Sequence, residues 1–227
     1  MLAHTTNHSG SFKPNAIRVL PPVVTNQSAD AIEMLGAPMT FARNTEIYGE
    51  GEAADYLYKV VGGAVRTYKM LSDGRRQIGS FHLPGDVFGL EAGDEHTFSA
   101  EAVADSKVIV IKRSAIMALA ERDRNVAREL WALTSRELQR VQDHILLLIK
   151  TAQERVAAFL LEMASRVPAG NAVELPMSRQ DIADYLGLTI ETVSRTFTQL
   201  ENAATIEVPT SRRIVLRNRP ALNRLNA

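Results

Sequence analysis

The sequence predicts an α+β protein with an N-terminal antiparallel β-roll, a long dimerisation helix and a C-terminal winged helix-turn-helix. Three observations lead to this fold class. Short runs of β-branched and aromatic residues alternate with glycine turns between residues 40 and 113. Neither glycine nor proline occurs from residue 114 to residue 167, which is typical of long helices. Two short helical patterns then meet at Gly187, as in a helix-turn-helix.

The composition is that of an ordinary globular protein, and it excludes several chemistries. Of the 227 residues, 45 % are hydrophobic and 23 % are charged, which allows a core of normal size. The absence of cysteine excludes a disulfide framework, a Cys-ligated zinc site, an iron–sulfur cluster and a catalytic thiol. Because 26 basic residues balance 26 acidic ones, net charge gives no indication of a nucleic-acid partner. No apolar run approaches ~18 residues, and residues 1–10 lack the pattern of a secretion signal. We therefore expect a cytoplasmic protein without a membrane span.

The first predicted unit is a β-roll over residues 29–115, which follows a flexible leader over residues 1–28. Prolines at 14, 21 and 22 and a polar composition indicate the leader. A short apolar segment at 31–35 favours a helix that Gly36 and Pro38 close. Strands at regular spacing, each followed by a turn sequence, indicate an all-β roll. The predicted strands are Tyr56–Val61, Ala64–Met70, Gln77–Leu83, Phe98–Ala104 and Lys107–Lys112.

The second unit is a predicted dimerisation helix over residues 116–151. Apolar residues recur along it at alternating spacings of three and four, with Thr134 filling one position, and this indicates a heptad seam. The seam residues are Trp131, Leu138, Val141, Ile145 and Leu148. The segment 145–149 is apolar on every face, so it requires neighbours on several sides. A core helix of a monomer is the alternative, but the uninterrupted length favours pairing with a second copy of the chain.

The third unit, residues 152–227, contains the motif that carries function. Ser178 and Thr189 are good N-caps for two short helices, and Asp181 completes a near capping box. Gly187 ends the first helix because glycine adopts positive φ without strain. The apolar residues of the two helices fall on facing sides: Ile182, Leu186, Val193, Phe197 and Leu200. A hairpin over residues 206–216, with residues 209–211 at its tip, completes a winged helix-turn-helix.

The outward face of the second helix predicts contacts with double-stranded DNA. Ile190, Glu191, Ser194 and Arg195 lie in its N-terminal half, which meets base edges in the major groove. A Glu accepts a hydrogen bond from cytosine N4, and an Arg donates two to guanine. A solvated ion pair between Glu191 and Arg195 is the alternative, and the surrounding pattern disfavours it. The residues expected to contact DNA phosphates are Ser178, Arg179, Thr189, Thr192, Arg212 and Arg213.

Four segments then resemble the CRP/FNR family of bacterial transcription regulators: residues 54–58, 81–89 (FHLPGDVFG), 179–183 (RQDIA) and 191–195 (ETVSR). The resemblance covers nearly the whole chain beyond the leader. It implies a roll similar to a cyclic-nucleotide-binding domain, a homodimer on a palindromic DNA site, and recruitment of RNA polymerase by an activator. The Glu-x-x-Ser-Arg pattern is similar to the FNR type, which implies that Glu191, Ser194 and Arg195 contact a TTGA-like half-site. Within the family, the chain looks most like the FixK-type regulators of low-oxygen and nitrogen-fixation genes.

The chain also departs from the family in residues that bear on effectors. Phe98-Ser99 stands where the family's Arg-Ser pair holds a cyclic phosphate, and Glu91 is out of register with the ribose Glu. Without that Arg, a bound phosphate has no counter-charge. The four-cysteine cluster of FNR is excluded, and a haem on His82 or His96 is disfavoured. We therefore expect no cofactor, no metal and no effector. An effector-gated sensor, with a small molecule in the roll, is the alternative.

Ser178 is in addition a candidate redox position. The resemblance implies a Cys at this cap in FixK-type relatives, whose oxidation adds negative charge that faces DNA phosphate. With Ser here, either the switch is absent or the residue is a Cys-to-Ser version.

The sequence does not predict an enzyme. Its five histidines are scattered, and it has no nucleophile elbow, phosphate loop or metal-spaced pair.

Overall fold

The computed structural model describes residues 34–166 and 170–226. The predicted leader (1–28), part of the predicted helix at 31–35 and part of the turn at 168–171 lie outside those residues. Of the predicted helix at 31–35, the described residues are Met34, which is helical, and Leu35, which lies in a turn. Gly36 and Pro38 follow in a strand, Gly36–Phe41. That strand is at the edge of its sheet, where a residue without an N–H is tolerated.

Eight antiparallel strands form the β-roll, which confirms the predicted fold of this unit. They are β1 (Gly36–Phe41), β2 (Glu46–Tyr48), β3 (Tyr56–Gly62), β4 (Val65–Met70), β5 (Arg76–His82), β6 (Val87–Phe88), β7 (Ser99–Ala102) and β8 (Ser106–Lys112). They make two four-stranded sheets, with the orders β1-β8-β3-β6 and β2-β7-β4-β5. The five predicted strands are all present. The short β2 and β6 have no signal in the sequence, because two or three residues are too few to show alternation.

An apolar core fills the space between the two sheets of the roll. Tyr48, Tyr58 and Phe88 meet there, with the ring centroids of Tyr58 and Phe88 5.1 Å apart. The turn between β3 and β4 depends on Gly63, which has a φ of +81°. A Cβ at that position would lie 2.4 Å from the carbonyl oxygen of Asp105, so the turn excludes every other residue type.

Three helices follow the roll, and the first two of them cover most of residues 116–151, where the sequence predicts a single helix. They are α1 (Arg113–Arg122), α2 (Arg124–Leu148) and α3 (Ala152–Arg166). The predicted helix breaks at Asp123, whose backbone is extended and whose carboxylate accepts a hydrogen bond from the Asn125 N–H at 2.8 Å. An Asp stabilises a helix N-terminus better than a helix interior. The 25-residue α2 therefore begins eight residues later and ends three residues earlier than the helix predicted over 116–151.

The C-terminal unit contains α4 (Arg179–Leu186), α5 (Ile190–Asn202) and α6 (Arg219–Asn226). Its sheet has the order β10-β11-β9, formed by β9 (Ala172–Glu174), β10 (Ile206–Thr210) and β11 (Arg213–Leu216). The predicted hairpin over 206–216 is present. Its turn lies at Ser211-Arg212, because Pro209 and Thr210 extend β10. A winged helix-turn-helix is thus confirmed.

The C-terminal unit packs directly on the roll through one continuous apolar core. Phe81 of β5 meets Phe159 of α3 and Tyr185 of α4, with ring centroids 6.4 and 5.2 Å apart. Asp86, in the turn after β5, adds polar ties to two helices. Its carboxylate accepts from Arg140 of α2 at 2.6 Å and from Arg166 of α3. The roll therefore positions both the long helix and the helix-turn-helix.

Candidate nucleic-acid interface

Local side-chain chemistry fixes the two helices of the helix-turn-helix, as the sequence predicts. The Ser178 hydroxyl accepts from the Asp181 N–H at 3.1 Å, and the Asp181 carboxylate accepts from the Ser178 N–H at 3.0 Å, which makes a complete capping box. Gly187 ends α4 in the left-handed region with a φ of 61°. The Thr189 hydroxyl then caps α5 by accepting from the Thr192 N–H at 3.2 Å. These caps set where each helix begins and ends.

The inward faces of α4 and α5 pack against each other as predicted. Ile182, Leu186 and Val193 are inaccessible to solvent, and Phe197 is almost so. The guanidinium of Arg179 lies over the Phe197 ring, with its central carbon 3.5 Å from the ring centroid. This cation–π contact adds to the apolar packing between the two helices.

The outward face of α5 presents the four predicted base-contacting residues together. Ile190, Glu191, Ser194 and Arg195 are all exposed, and they occupy the first two turns of the helix. Among the described residues, neither Glu191 nor Arg195 forms an ion pair, so the solvated pair considered as an alternative is not formed. The polar ends of both side chains are available to a ligand.

The residues expected to contact phosphate fall into two groups. Thr189, Arg212 and Arg213 are exposed, and Thr192 is half-buried beside the cap of α5. Among the described residues, the Arg213 guanidinium forms a loose, exposed ion pair of 3.6 Å with Glu174, so its charge remains accessible.

Arg179 and Ser178 form the second group, since each contacts a residue of its own chain: Arg179 lies over the Phe197 ring, and Ser178 bonds to Asp181. Burial lowers the pKa of Arg179 to about 10 and leaves its Nη1 without a hydrogen-bond partner among the described residues. Ser178 is half-buried, and its hydroxyl donates to the Asp181 carboxylate at 2.8 Å.

A set of ion pairs joins the helix-turn-helix to the roll. The sequence gives no signal for these pairs. Arg66 of β4 and Arg76 of β5 each donate to Oδ1 of Asp181 at 2.6 Å. Arg76 also donates to Asp184 of α4 through its Nε at 2.8 Å. Arg66 and Asp181 are separated by 115 residues in the chain, so no local pattern connects them. We call Arg66, Arg76, Asp181 and Asp184 the interdomain ion-pair cluster.

The roll contains a cavity of about 340 Å³ that faces α2. Its polar lining includes His82, Glu91 and Glu137, and Phe98 forms part of its apolar wall. No lysine or arginine is among the described residues that line it. Burial lowers the pKa of His82 to about 3, so this ring is neutral at physiological pH.

Sequence and structure comparisons agree on the relatives of this chain. The family described as the Crp-like helix-turn-helix domain matches residues 154–225, and the cyclic nucleotide-binding domain family matches residues 38–123. The nitrogen fixation regulation protein FixK of Azorhizobium caulinodans is 54 % identical over 205 residues, which cover 88 % of this chain and 83 % of that protein. The chain belongs to the CRP/FNR family.

Further relatives within the CRP/FNR family are similar in sequence and in structure. The FixK protein of Rhizobium meliloti is 45 % identical over 203 residues, covering 86 % of this chain and 93 % of that protein. The solved structure of FixK2 from Bradyrhizobium japonicum superposes with a TM-score of 0.82 at 55 % identity, covering 85 % of this chain and 98 % of that one. This similarity extends through both the roll and the helix-turn-helix.

The cavity of this CRP/FNR protein does not fit a cyclic nucleotide, although its domain family carries that name. Phe98 lines the cavity, and the neighbouring Ser99 hydroxyl accepts from the Glu50 N–H at 3.0 Å. Two carboxylates, Glu91 and Glu137, line the cavity as well, and no lysine or arginine is among its described lining residues. Burial of a phosphate without a counter-charge, and beside carboxylates, is strongly unfavourable.

The predicted heptad seam of this CRP/FNR protein is largely exposed on α2. Trp131, Leu138, Val141 and Ile145 are between 47 and 75 % exposed. Leu148 differs from them: it is half-buried, and its Cδ2 lies 3.5 Å from where a Cβ on Gly187 would be. It therefore contacts the turn of the helix-turn-helix in its own chain. None of the helices among the described residues is both long and apolar enough to cross a membrane.

Proposed function

We propose that this protein is a transcription activator that binds double-stranded DNA as a homodimer, at a palindromic TTGA-type site and without a bound effector. The observation that carries the proposal is the outward face of α5, where Ile190, Glu191, Ser194 and Arg195 are exposed together on a capped helix. A guanidinium that has no ion-pair partner among the described residues is suited to donate two hydrogen bonds to guanine O6 and N7, and a carboxylate in the same state is suited to accept from cytosine N4.

The contacts with phosphate come from around this face in the proposed complex. Arg212 and Arg213 lie at the turn of the β10–β11 hairpin, which supports a role of this wing against the DNA backbone. Ser178 and Thr189 cap the N-terminal ends of α4 and α5, and helix dipoles favour phosphate at such ends. Contacts of this kind position the protein without distinguishing the bases.

The proposed dimer uses the exposed seam of α2. Trp131, Leu138, Val141 and Ile145 form an apolar stripe that a second copy of the same helix would cover. Two recognition helices then enter successive major grooves ~34 Å apart. A twofold-symmetric protein requires a twofold-symmetric site, and this supports a palindrome.

The relatives support the proposed regulatory role. The similar proteins from Azorhizobium and Rhizobium are named as nitrogen fixation regulation proteins. We propose that this chain likewise acts in the cytoplasm on low-oxygen and nitrogen-fixation genes, through recruitment of RNA polymerase, and that it has no enzymatic activity. The acidic lining of the roll cavity supports activity without a cyclic nucleotide.

The proposal is tested by fluorescence anisotropy with effector-free protein and two labelled duplexes, TTGA-N6-TCAA and a scrambled sequence. We expect tight binding to the first duplex alone. Arg195→Ala should weaken specific binding by about 1–3 kcal/mol and relax the preference at one guanine. Arg213→Ala is the matched control, because loss of a phosphate contact should weaken binding to both duplexes alike and reduce the salt dependence.

Two results would contradict parts of the proposal. Equal losses on both duplexes for Arg195→Ala would exclude a base contact for that residue. Weak binding by the wild type, restored by a small-molecule extract, would replace effector independence with the alternative of an effector-gated sensor.

A further inference from the structure

The carboxylate of Asp181 makes contacts in two directions at once. Its Oδ2 accepts from the N–H and the hydroxyl of Ser178, at 3.0 and 2.8 Å, and so caps α4. Its Oδ1 accepts from Arg66 and from Arg76, both at 2.6 Å. One side chain therefore joins the start of the helix-turn-helix to two strands of the roll.

The contacts toward the roll occur where water is excluded. Asp181 is 4 % exposed and Arg66 is 7 % exposed. A carboxylate buried to this degree is strongly unfavourable unless it is paired and hydrogen-bonded. The capping box satisfies one oxygen only, so the docked position of α4 depends on the two arginines of the roll.

Further contacts hold the arginines in place and extend the cluster. Glu101 of β7 accepts from the second Arg66 nitrogen at 2.8 Å, which fixes that guanidinium against the sheet. Arg76 bridges Asp181 and Asp184, which lie three residues apart on α4. Gln77, next in β5, donates to the carbonyl oxygen of Tyr185 at 3.3 Å. The roll therefore contacts α4 along most of its length.

The contacts between α4 and α5 connect the interdomain ion-pair cluster to the recognition helix, α5. α4 and α5 share a closed apolar interface that includes Ile182 and Val193, and Arg179 lies over the Phe197 ring. A rotation of α4 relative to the roll would therefore carry α5 with it. In a dimer joined through α2, such a rotation changes the distance between the two recognition helices.

We propose that Arg66 and Arg76 are positioning residues for DNA recognition, which through Asp181 and Asp184 hold the helix-turn-helix at the angle that a palindromic site requires. This inference rests on the proposed function. The interdomain ion-pair cluster then stabilises one orientation of the DNA-binding unit through fixed charges. In a gated sensor, a bound effector would have this role. Neither arginine touches DNA in this arrangement.

The experiment compares Arg76→Gln and Asp184→Asn with the control Arg75→Gln, in the full-length protein. Arg75 directly precedes Arg76, but it is exposed and its ion-pair partner among the described residues is Asp73, so its loss should change nothing. Asp181 is not substituted, because it also caps α4. We expect Arg76→Gln and Asp184→Asn to lower affinity for the palindrome about 3- to 30-fold, with a smaller loss on random DNA. The double variant should lose less than the sum, because both changes remove the same ion pair.

A second measurement separates positioning from general stability. Arg76→Lys keeps the charge and should restore at least part of the specific affinity, whereas Arg76→Gln should not. Hydrogen exchange without DNA should be faster in β5 and α4 of Arg76→Gln, while the strands around Tyr58 exchange as in the wild type.

The outcomes distinguish failure of the positioning role from failure of the proposed function. If the wild type binds the palindrome and Arg76→Gln binds equally well with unchanged exchange, the positioning role is excluded. Equal losses on both duplexes with faster exchange throughout the chain would also exclude it, since that pattern indicates general destabilisation. If the wild type binds neither duplex specifically, the proposed function fails. Exchange in β5 and α4 then still shows whether the ion pairs hold the two units together.

Discussion

The apolar seam of α2 makes a quantitative prediction about dimerisation. Ile145 and Leu146 are neighbours on this helix, both are 58 % exposed, and their side chains have similar volumes. Only Ile145 lies in the heptad seam, because Leu146 is about 100° further round the helix. Alanine in place of Ile145 should therefore weaken the dimer, whereas alanine in place of Leu146 should not.

The magnitude follows from the exposed area that a partner would cover. Full burial of a side chain of this size contributes about 1.5–3 kcal/mol. With 58 % of the side chain available, each chain contributes about 1–1.5 kcal/mol, and the dimer contains two copies. Ile145→Ala should thus cost about 2–3 kcal/mol, which raises the dimer dissociation constant about 30- to 150-fold.

Sedimentation equilibrium over a concentration series, without DNA, measures this constant. Trp131 gives an independent signal, because it is the only tryptophan in the chain and is 75 % exposed. Its emission should move to shorter wavelength as the dimer forms. Equal effects of the two alanine substitutions, or a monomeric wild type at every concentration, would refute the seam as the dimer contact.

Three further predictions concern the roll and the caps. Burial lowers the pKa of His82 to about 3 in the folded chain, whereas the same ring in the unfolded chain has the ordinary pKa of about 6.5. Below pH 6.5 the unfolded chain therefore binds one more proton than the folded chain. The stabilisation is present above that pH and is lost as the pH falls below it. Between pH 7.5 and 5 the wild type should lose about 2 kcal/mol from this group, and urea unfolding of His82→Gln should lack that part of the loss. Thr189→Ala removes the cap on the Thr192 N–H and should lower the free energy of urea unfolding by about 1 kcal/mol. The control Thr198→Ala, on the exposed middle of the same helix, should change this free energy little. Equal losses would exclude a capping effect. Ser178→Cys treated with peroxide should lose DNA affinity, because the sulfinate or sulfonate formed would lie against the Asp181 carboxylate as well as near DNA phosphate. The cysteine-free wild type is the control. Unchanged binding would exclude a redox role for this position.

The helix-turn-helix could be predicted from the sequence because its determinants are local. Ser178, Gly187 and Thr189 act on backbone groups within a few residues of themselves, and each acts in the structure as its chemistry indicates. The exposed face of α5 follows from helical periodicity once those caps are known.

Other features depend on contacts that sequence spacing does not encode. The partners of Asp181 lie on two strands of the roll, more than 100 residues away in the chain. The break at Asp123 is different in kind, since a charged residue that favours an N-cap stands there in the sequence. The absence of glycine and proline favours one continuous helix over 116–151, whereas the structure ends one helix before Asp123 and begins α2 at Arg124. Leu148 follows the heptad pattern but contacts Gly187 in its own chain, because the spacing of apolar residues does not say which neighbour covers them.

The apolar core that Phe81 shares with Phe159 and Tyr185 has a consequence for how the chain unfolds. This core contains residues of β5, α3, α4, α5 and the C-terminal hairpin without interruption. Loss of the helix-turn-helix would expose Phe81 and Ile78 on the face of the sheet, and loss of that sheet would expose α3 and α4. The roll keeps its own core between the sheets around Tyr58, but the shared core is complete only when both halves are folded. The chain should therefore melt in one cooperative transition, and a fragment cut at the start of α3 should be less soluble than the intact protein.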